Sequence, residues 1–194
     1  MDKDKKTDKR KKVLKGECGY INLQKKKRLL RVAMYCLIGV AIFVLGLCLN
    51  KFEKSNIFSV IAILMVLPAA KAMVGVIVLM PFQSVEKEKV DQVKLLLSGA
   101  DVLYTDMVFT STEKVMFFAF LVIREDEIIC LAGREKEDTA YIEKYLKAEF
   151  KRRMFSRKLY ITKDKEKFLS HVEHSAPAKE VPEELTSYLT SLMV

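Results

Sequence analysis

Only two histidines occur in the chain, both within HVEH at 171–174, so any Ser-His-Asp or Cys-His arrangement would have to recruit one of that pair. Glycine is scarce at seven residues, and no GxxxxGK(S/T), GxGxxG, HExxH or GxSxG string occurs. Phosphate-cradling loops, dinucleotide turns, zinc-binding helices and nucleophile elbows are thus missing, which disfavours nucleotide hydrolysis and dehydrogenase chemistry. The four cysteines, Cys18, Cys36, Cys48 and Cys130, show no C-x-x-C spacing and read as reduced, unpaired thiols. No cofactor is expected.

Charge is segregated along the chain. Residues 1–31 hold 13 Lys and Arg against 4 Asp and Glu, which already accounts for the whole net charge of +9. Residues 83–194 carry 18 basic and 20 acidic side chains, so the high isoelectric point belongs to the tail and does not argue for nucleic acid as a partner of the folded part.

From Val32 to Leu49 the chain reads VAMYCLIGVAIFVLGLCL, eighteen residues without a charge. As a helix rising 1.5 Å per residue this run is about 27 Å long, close to the thickness of a bilayer's hydrocarbon layer. A second run, Ile57 to Phe82, is long enough to cross with tilt despite Pro68 and Lys71, and the intervening NKFEKSN suits a hairpin connection. The long apolar run and the 31-residue basic stretch ahead of it argue for a retained span rather than a cleaved signal. Leu47, preceding Cys48, lacks the small size a lipoprotein site requires.

KKKRLLR immediately before the first run outweighs Lys51 and Lys54 in the connection, so the positive-inside rule places both termini in the cytoplasm of a bacterial-type inner membrane. Residues 1–31 are expected to be a disordered basic leader, with Lys25, Lys26, Lys27, Arg28 and Arg31 as candidate contacts to anionic headgroups. Lys71 is the one charge inside either run. A helix entering at Ile57 carries it about 21 Å, within snorkelling reach of the cytosolic interface. Small residues at Gly39, Gly46, Ala69, Ala70, Ala72 and Gly75 permit close helix contact, within the hairpin or between subunits.

Residues 83–194 are expected to form a small cytosolic α+β domain. VEKEKVDQVKLLL (85–97) has helical periodicity ended by Gly99, and VLYTDMVF (102–109), VMFFAFLVI (115–123) and IICLA (128–132) read as strands, the second apolar on both faces and hence central. A helix capped by Asp138 and ending near Phe155 follows, then a strand at LYIT (159–162), a helix from Asp164 to His174 and a last helix over Glu183 to Met193. The order is α-β-β-β-α-β-α-α.

Up to the fourth strand this order resembles the αβββαβ core of restriction-endonuclease-like folds. That resemblance implies an acid on the second strand and Glu-x-Lys on the third, holding a divalent metal. VMFFAFLVI has no acid and IICLA places Cys130 where a polar ligand would stand, so a degenerate, catalytically silent version is implied. Asp101, Asp106 and Glu113 are the nearby acids that would have to converge for metal chemistry.

His171 and His174 have the spacing of a two-histidine metal site but lack further ligands. Lys147, Lys151, Arg152, Arg153, Arg157 and Lys158 form a basic run that suits a helix carboxy-terminus, with Arg152 and Arg153 as further candidate membrane-surface contacts. In layout the chain resembles small uncharacterised two-span bacterial membrane proteins. The expectation is a membrane-tethered interaction or scaffold domain whose partners are the bilayer and another protein or a second copy. The alternative is a membrane-anchored enzyme or degenerate nuclease-like domain.

Overall fold

The computed structural model of the protein describes residues 13–49 and 57–193. The connection NKFEKSN and residues 1–12 of the expected leader lie outside the described residues.

Helix α1 runs unbroken over Tyr20–Leu49. It begins twelve residues ahead of the expected span at Val32, so the KKKRLLR run expected to be disordered is helical. A helix already nucleated by the apolar run extends at little cost. Lys25 and Arg28 then fasten the extension by donating to the carbonyls of Met80, Phe82 and Gly75 on the returning segment.

The second apolar run is two helices, α2 (Ile57–Leu64) and α3 (Val66–Leu79), rather than one element reaching Phe82. Pro68 offers no N–H to the Leu64 carbonyl and its ring crowds that carbonyl, so the break falls at Met65. Both apolar helical stretches are long enough to cross a membrane, and their apolar windows are largely uncovered. Leu37 is 70% exposed and Leu67 68%, surface that water would penalise.

The elements that follow keep the expected order: α4 (Lys87–Leu95), β1 (Val102–Thr110), β2 (Val115–Ile123), β3 (Glu127–Ala132), α5 (Thr139–Arg152), β4 (Lys158–Thr162), α6 (Lys165–His174) and α7 (Glu183–Ser191). Asp138 and Asp164 cap α5 and α6 by accepting from the backbone N–H groups of Tyr141 and of Glu166 and Lys167. The sheet order is β1-β2-β3-β4, antiparallel for the first two pairs and parallel for β3 and β4, which α5 connects.

The sheet is covered on both faces. Against one pack Ile142, Leu146 and Phe150 of α5 and Leu185 and Leu189 of α7, meeting Met107, Phe118, Leu121 and Cys130. The other face is shared. Val90 and Val93 of α4 and Phe168 and Val172 of α6 cover Phe120, Val122, Ile129 and Leu131. Ile21 of α1, Leu79 of α3 and Phe82 cover Val108 and Phe117. Tyr20 also joins the first cluster, so the folded unit reaches back beyond the expected start at residue 83.

Both β1 and β2 change side-chain phase at facing positions. Asp106 has φ +56° and is skipped between the Thr105–Phe120 and Met107–Phe118 pairs, while the β2–β3 register shifts between Phe118 and Phe120. Tyr104 and Met107 therefore pack on the same face although three residues apart, as do Phe118 and Leu121.

The segment ahead of α1 lies along β1. The Gly16 carbonyl accepts from Thr105 N–H at 2.7 Å. Gly16 has φ +81°, and a Cβ there would stand 2.3 Å from Tyr104 Cδ1; Gly19 has φ +89° with open space around it. Gly19→Ala should therefore carry only the left-handed backbone penalty of about 1–2 kcal/mol. Gly16→Ala should cost more, because Tyr104 must also move. Thermal unfolding of the detergent-solubilised variants checks this ranking, and equal losses would refute it.

Candidate functional site

The three acids required by a metal-dependent reading have separate tasks. Asp106 is fully buried in β1. Its Oδ2 accepts from Gly19 N–H at 2.9 Å and from the Ser84 hydroxyl, and its Oδ1 accepts from Val85 N–H at 2.8 Å. Gly19 N–H also reaches Ser84 Oγ at 2.7 Å, and the Cys18 thiol donates to the Val85 carbonyl at 3.1 Å. One carboxylate thus joins the residue before α1, the segment after α3 and the sheet between them. Burial holds the Asp106 carboxyl above the ordinary carboxylate range, opposed by the donors from Ser84, Val85, Gly19 and Ile21.

Asp101 sits at the head of β1 and accepts from Ser98 and Ala178 N–H groups at 3.0 and 2.7 Å. It faces Arg124 at 3.4 Å in an ion pair whose side chains are 1% and 3% exposed. Arg124 in turn donates to the carbonyls of Ser175 and Leu96. Glu113 is exposed in the β1–β2 connection. Among the described residues no group of three His, Cys, Asp or Glu is placed to hold a metal.

His171 and His174 line a surface cavity of about 460 Å³, but each has another partner. His171 Nε2 lies 3.0 Å from Glu127 and its ring stacks on Tyr160 at 3.8 Å, whereas His174 Nδ1 meets the Ser170 carbonyl. Cys130 is fully buried, and desolvation raises its thiol far above the ordinary range, which removes it as a nucleophile.

The basic run at the end of α5 and beyond it divides. Lys147, Lys151, Arg157 and Lys158 line a cavity of about 630 Å³ beside Asp126 and Met154. Arg152 instead pairs with Glu149 at 2.7 Å, and Arg153 lies 4.9 Å over the Tyr188 ring.

Cations from both arms of the hairpin share one cavity. Gln24, Arg28, Arg31, Tyr35, Lys71 and Gly75 line a cavity of about 420 Å³ between α1 and α3. Arg28 Nη1 is fixed by the Gly75 carbonyl at 3.0 Å. Arg31 and Lys71 have no hydrogen-bond or ion-pair partner among the described residues. No Asp or Glu occurs in α1, α2 or α3. Lys26 and Lys27 are exposed elsewhere on α1. The sequence singled out each cation; their meeting across two helices was invisible because it depends on the helix of residues 20–31, for which no apolar periodicity gave a signal.

No family model, curated protein or solved structure matches the chain.

The Asp106 geometry gives a signed pH test. Asparagine tolerates the left-handed backbone, but its NH₂ accepts no hydrogen bond, so whichever carboxyl oxygen it replaces leaves a backbone N–H of Gly19 or Val85 without its acceptor. Asp106→Asn should lower stability by about 1–3 kcal/mol near pH 4. Because the folded-state pKa is raised, the stability contributed by the protonated wild-type carboxyl is complete below the ordinary value of about 3.9 and is lost as pH rises through the folded value. The variant cannot ionise at this position, so its deficit should shrink with rising pH; chemical denaturation from pH 4 to 8 reads the trend, and a growing deficit would contradict burial as the dominant cause.

Proposed function

We propose that the chain is a two-span membrane anchor that holds an interaction domain against the cytosolic face of the bilayer at a fixed orientation. The observation that supports this most is the joint at Asp106. The two helix ends that would emerge from the bilayer meet on one buried carboxylate, and Ile21, Leu79 and Phe82 close over Val108 and Phe117 beside it. A domain hung on a flexible linker would need neither feature. The basic residues at the start of α1 favour the cytosolic side for this joint.

Partner binding is the work this reading assigns to the domain. One accessible surface of mixed character is the rim between α5 and β4, where Met154 is 93% exposed next to Lys151 and Arg157. Such a surface suits an acidic segment of another protein. The nuclease-like alternative draws no support from the placement of Asp101, Asp106 and Glu113.

Carbonate washing should leave the protein in the membrane pellet. External protease should spare residues 83–194 in intact spheroplasts and digest them in inverted vesicles. Recovery in the aqueous fraction, or digestion from outside, would overturn the reading.

A further inference from the structure

We propose that the groove between the two hairpin arms is a site for one anionic glycerophospholipid, with its phosphate on Arg28, Arg31 and Lys71 and an acyl chain along the groove below them. The proposal rests on the two-span reading and goes beyond it by naming a ligand and its contacts.

Two adjoining cavities carry the argument. The first is the cationic one, in which three positive side chains converge with no acid on any of the three helices. Like charges gathered without a counter-charge repel one another, and an anion relieves that repulsion. Arginine guanidinium groups present forks that match phosphate oxygens, and Lys71 adds a point charge from the opposite helix.

The second cavity, about 380 Å³, is an apolar groove lined by Tyr35, Gly39, Phe43, Ala62, Val66 and Ala69. Tyr35 borders both cavities, and Ala69 follows Pro68, which lines the first, so the two adjoin. Along α1 the order is Arg28, Arg31, Tyr35, Gly39, Phe43, passing from the basic stretch into the uncharged run that begins at Val32. A cationic head site that opens into an apolar furrow at that boundary has the polarity profile of a phospholipid. A free phosphate would use the upper cavity alone. A second copy of the chain is a poorer occupant, because a two-fold contact over this groove sets Arg28, Arg31 and Lys71 against the same residues of its partner.

The test uses the full-length protein in nanodiscs containing equal phosphatidylglycerol and phosphatidylcholine, released into mild detergent for native mass spectrometry. The wild type should retain one phosphatidylglycerol in preference to phosphatidylcholine. Arg31→Gln with Lys71→Gln should reduce that preference by about fivefold for each cation removed. Lys26→Gln with Lys27→Gln removes the same charge outside the cavity and should leave it nearly intact. Ala62→Phe, which fills the furrow without altering charge, should also cut retention, and excess glycerol 3-phosphate should not displace the lipid.

Equal loss in both charge pairs would mean general surface attraction and would overturn the site. Displacement by glycerol 3-phosphate, with no effect of Ala62→Phe, would assign the cations to a free phosphate and overturn the lipid. A lipid-free dimer would overturn it in favour of self-association. Failure of the two-span reading is distinguishable, because the protein would then be lost from the carbonate-washed pellet before any lipid is measured.

Discussion

A carboxylate removed from water inside a sheet must find donors. Asp106 obtains them from the two ends of the helical hairpin, Gly19 on one side and Ser84 and Val85 on the other. The consequence is geometric: chain segments separated by more than sixty residues are held at one point on the sheet. The positive φ of Asp106 and the register step facing it belong to the same arrangement. They let the upper part of the face meet α4 and α6 while Val108 and Phe117 meet the hairpin. The hairpin is therefore a covering layer of the sheet as well as an apolar extension from it.

The acids follow a consistent logic. Asp101 answers the buried Arg124 and two backbone donors, Asp106 answers the hairpin, and Asp138 and Asp164 cap helices. A carboxylate that terminates a buried network has its lone pairs directed at fixed donors, and turning it toward a metal would strand those donors in a dry interior. The resemblance in element order to a metal-dependent nuclease core thus extends to the order of strands and helices but not to a convergence of acids. In the helical hairpin the situation is inverted. Cations gather there, and the helices that carry them contain no acid to quench them.

What could be read in advance depended on whether the signal was local. The cap at Asp138, the doubly apolar VMFFAFLVI and the uncharged eighteen-residue run each carry their cause within a few neighbours; the capped helix and the strand appear with boundaries within a few residues of expectation, and α1 ends at Leu49 as expected although it starts earlier. The helix over Tyr20–Arg31 is different. Its sequence is dense in like charge and lacks an apolar stripe, and part of what holds it is Lys25 and Arg28 reaching carbonyls some fifty residues away. Asp106 shows the same limit at a single residue. VLYTDMVF reads as a strand with one polar interruption, and nothing beside it discloses the left-handed backbone or the partners at Gly19 and Val85. The meeting of Arg28, Arg31 and Lys71 depends on both: the helix must extend and the joint must fix how its partner returns.

The continuity of α1 also sets a distance. From Tyr20, which packs on the sheet, to Val32, where the uncharged run starts, the helix rises about 18 Å at 1.5 Å per residue. On the two-span reading a headgroup layer occupies about 5–8 Å of that length. Helix tilt only shortens the remainder, so the contact between α1 and the sheet lies within about 13 Å of the headgroup surface. Only residues 80–86 separate α3 from α4, and Val85 among them is bonded to Asp106, so the returning arm offers no slack to increase that height. On that reading a partner of the domain would have to approach along the membrane surface or bind the layers of the sheet farthest from the hairpin. The near side is closed by Ile21, Leu79 and Phe82.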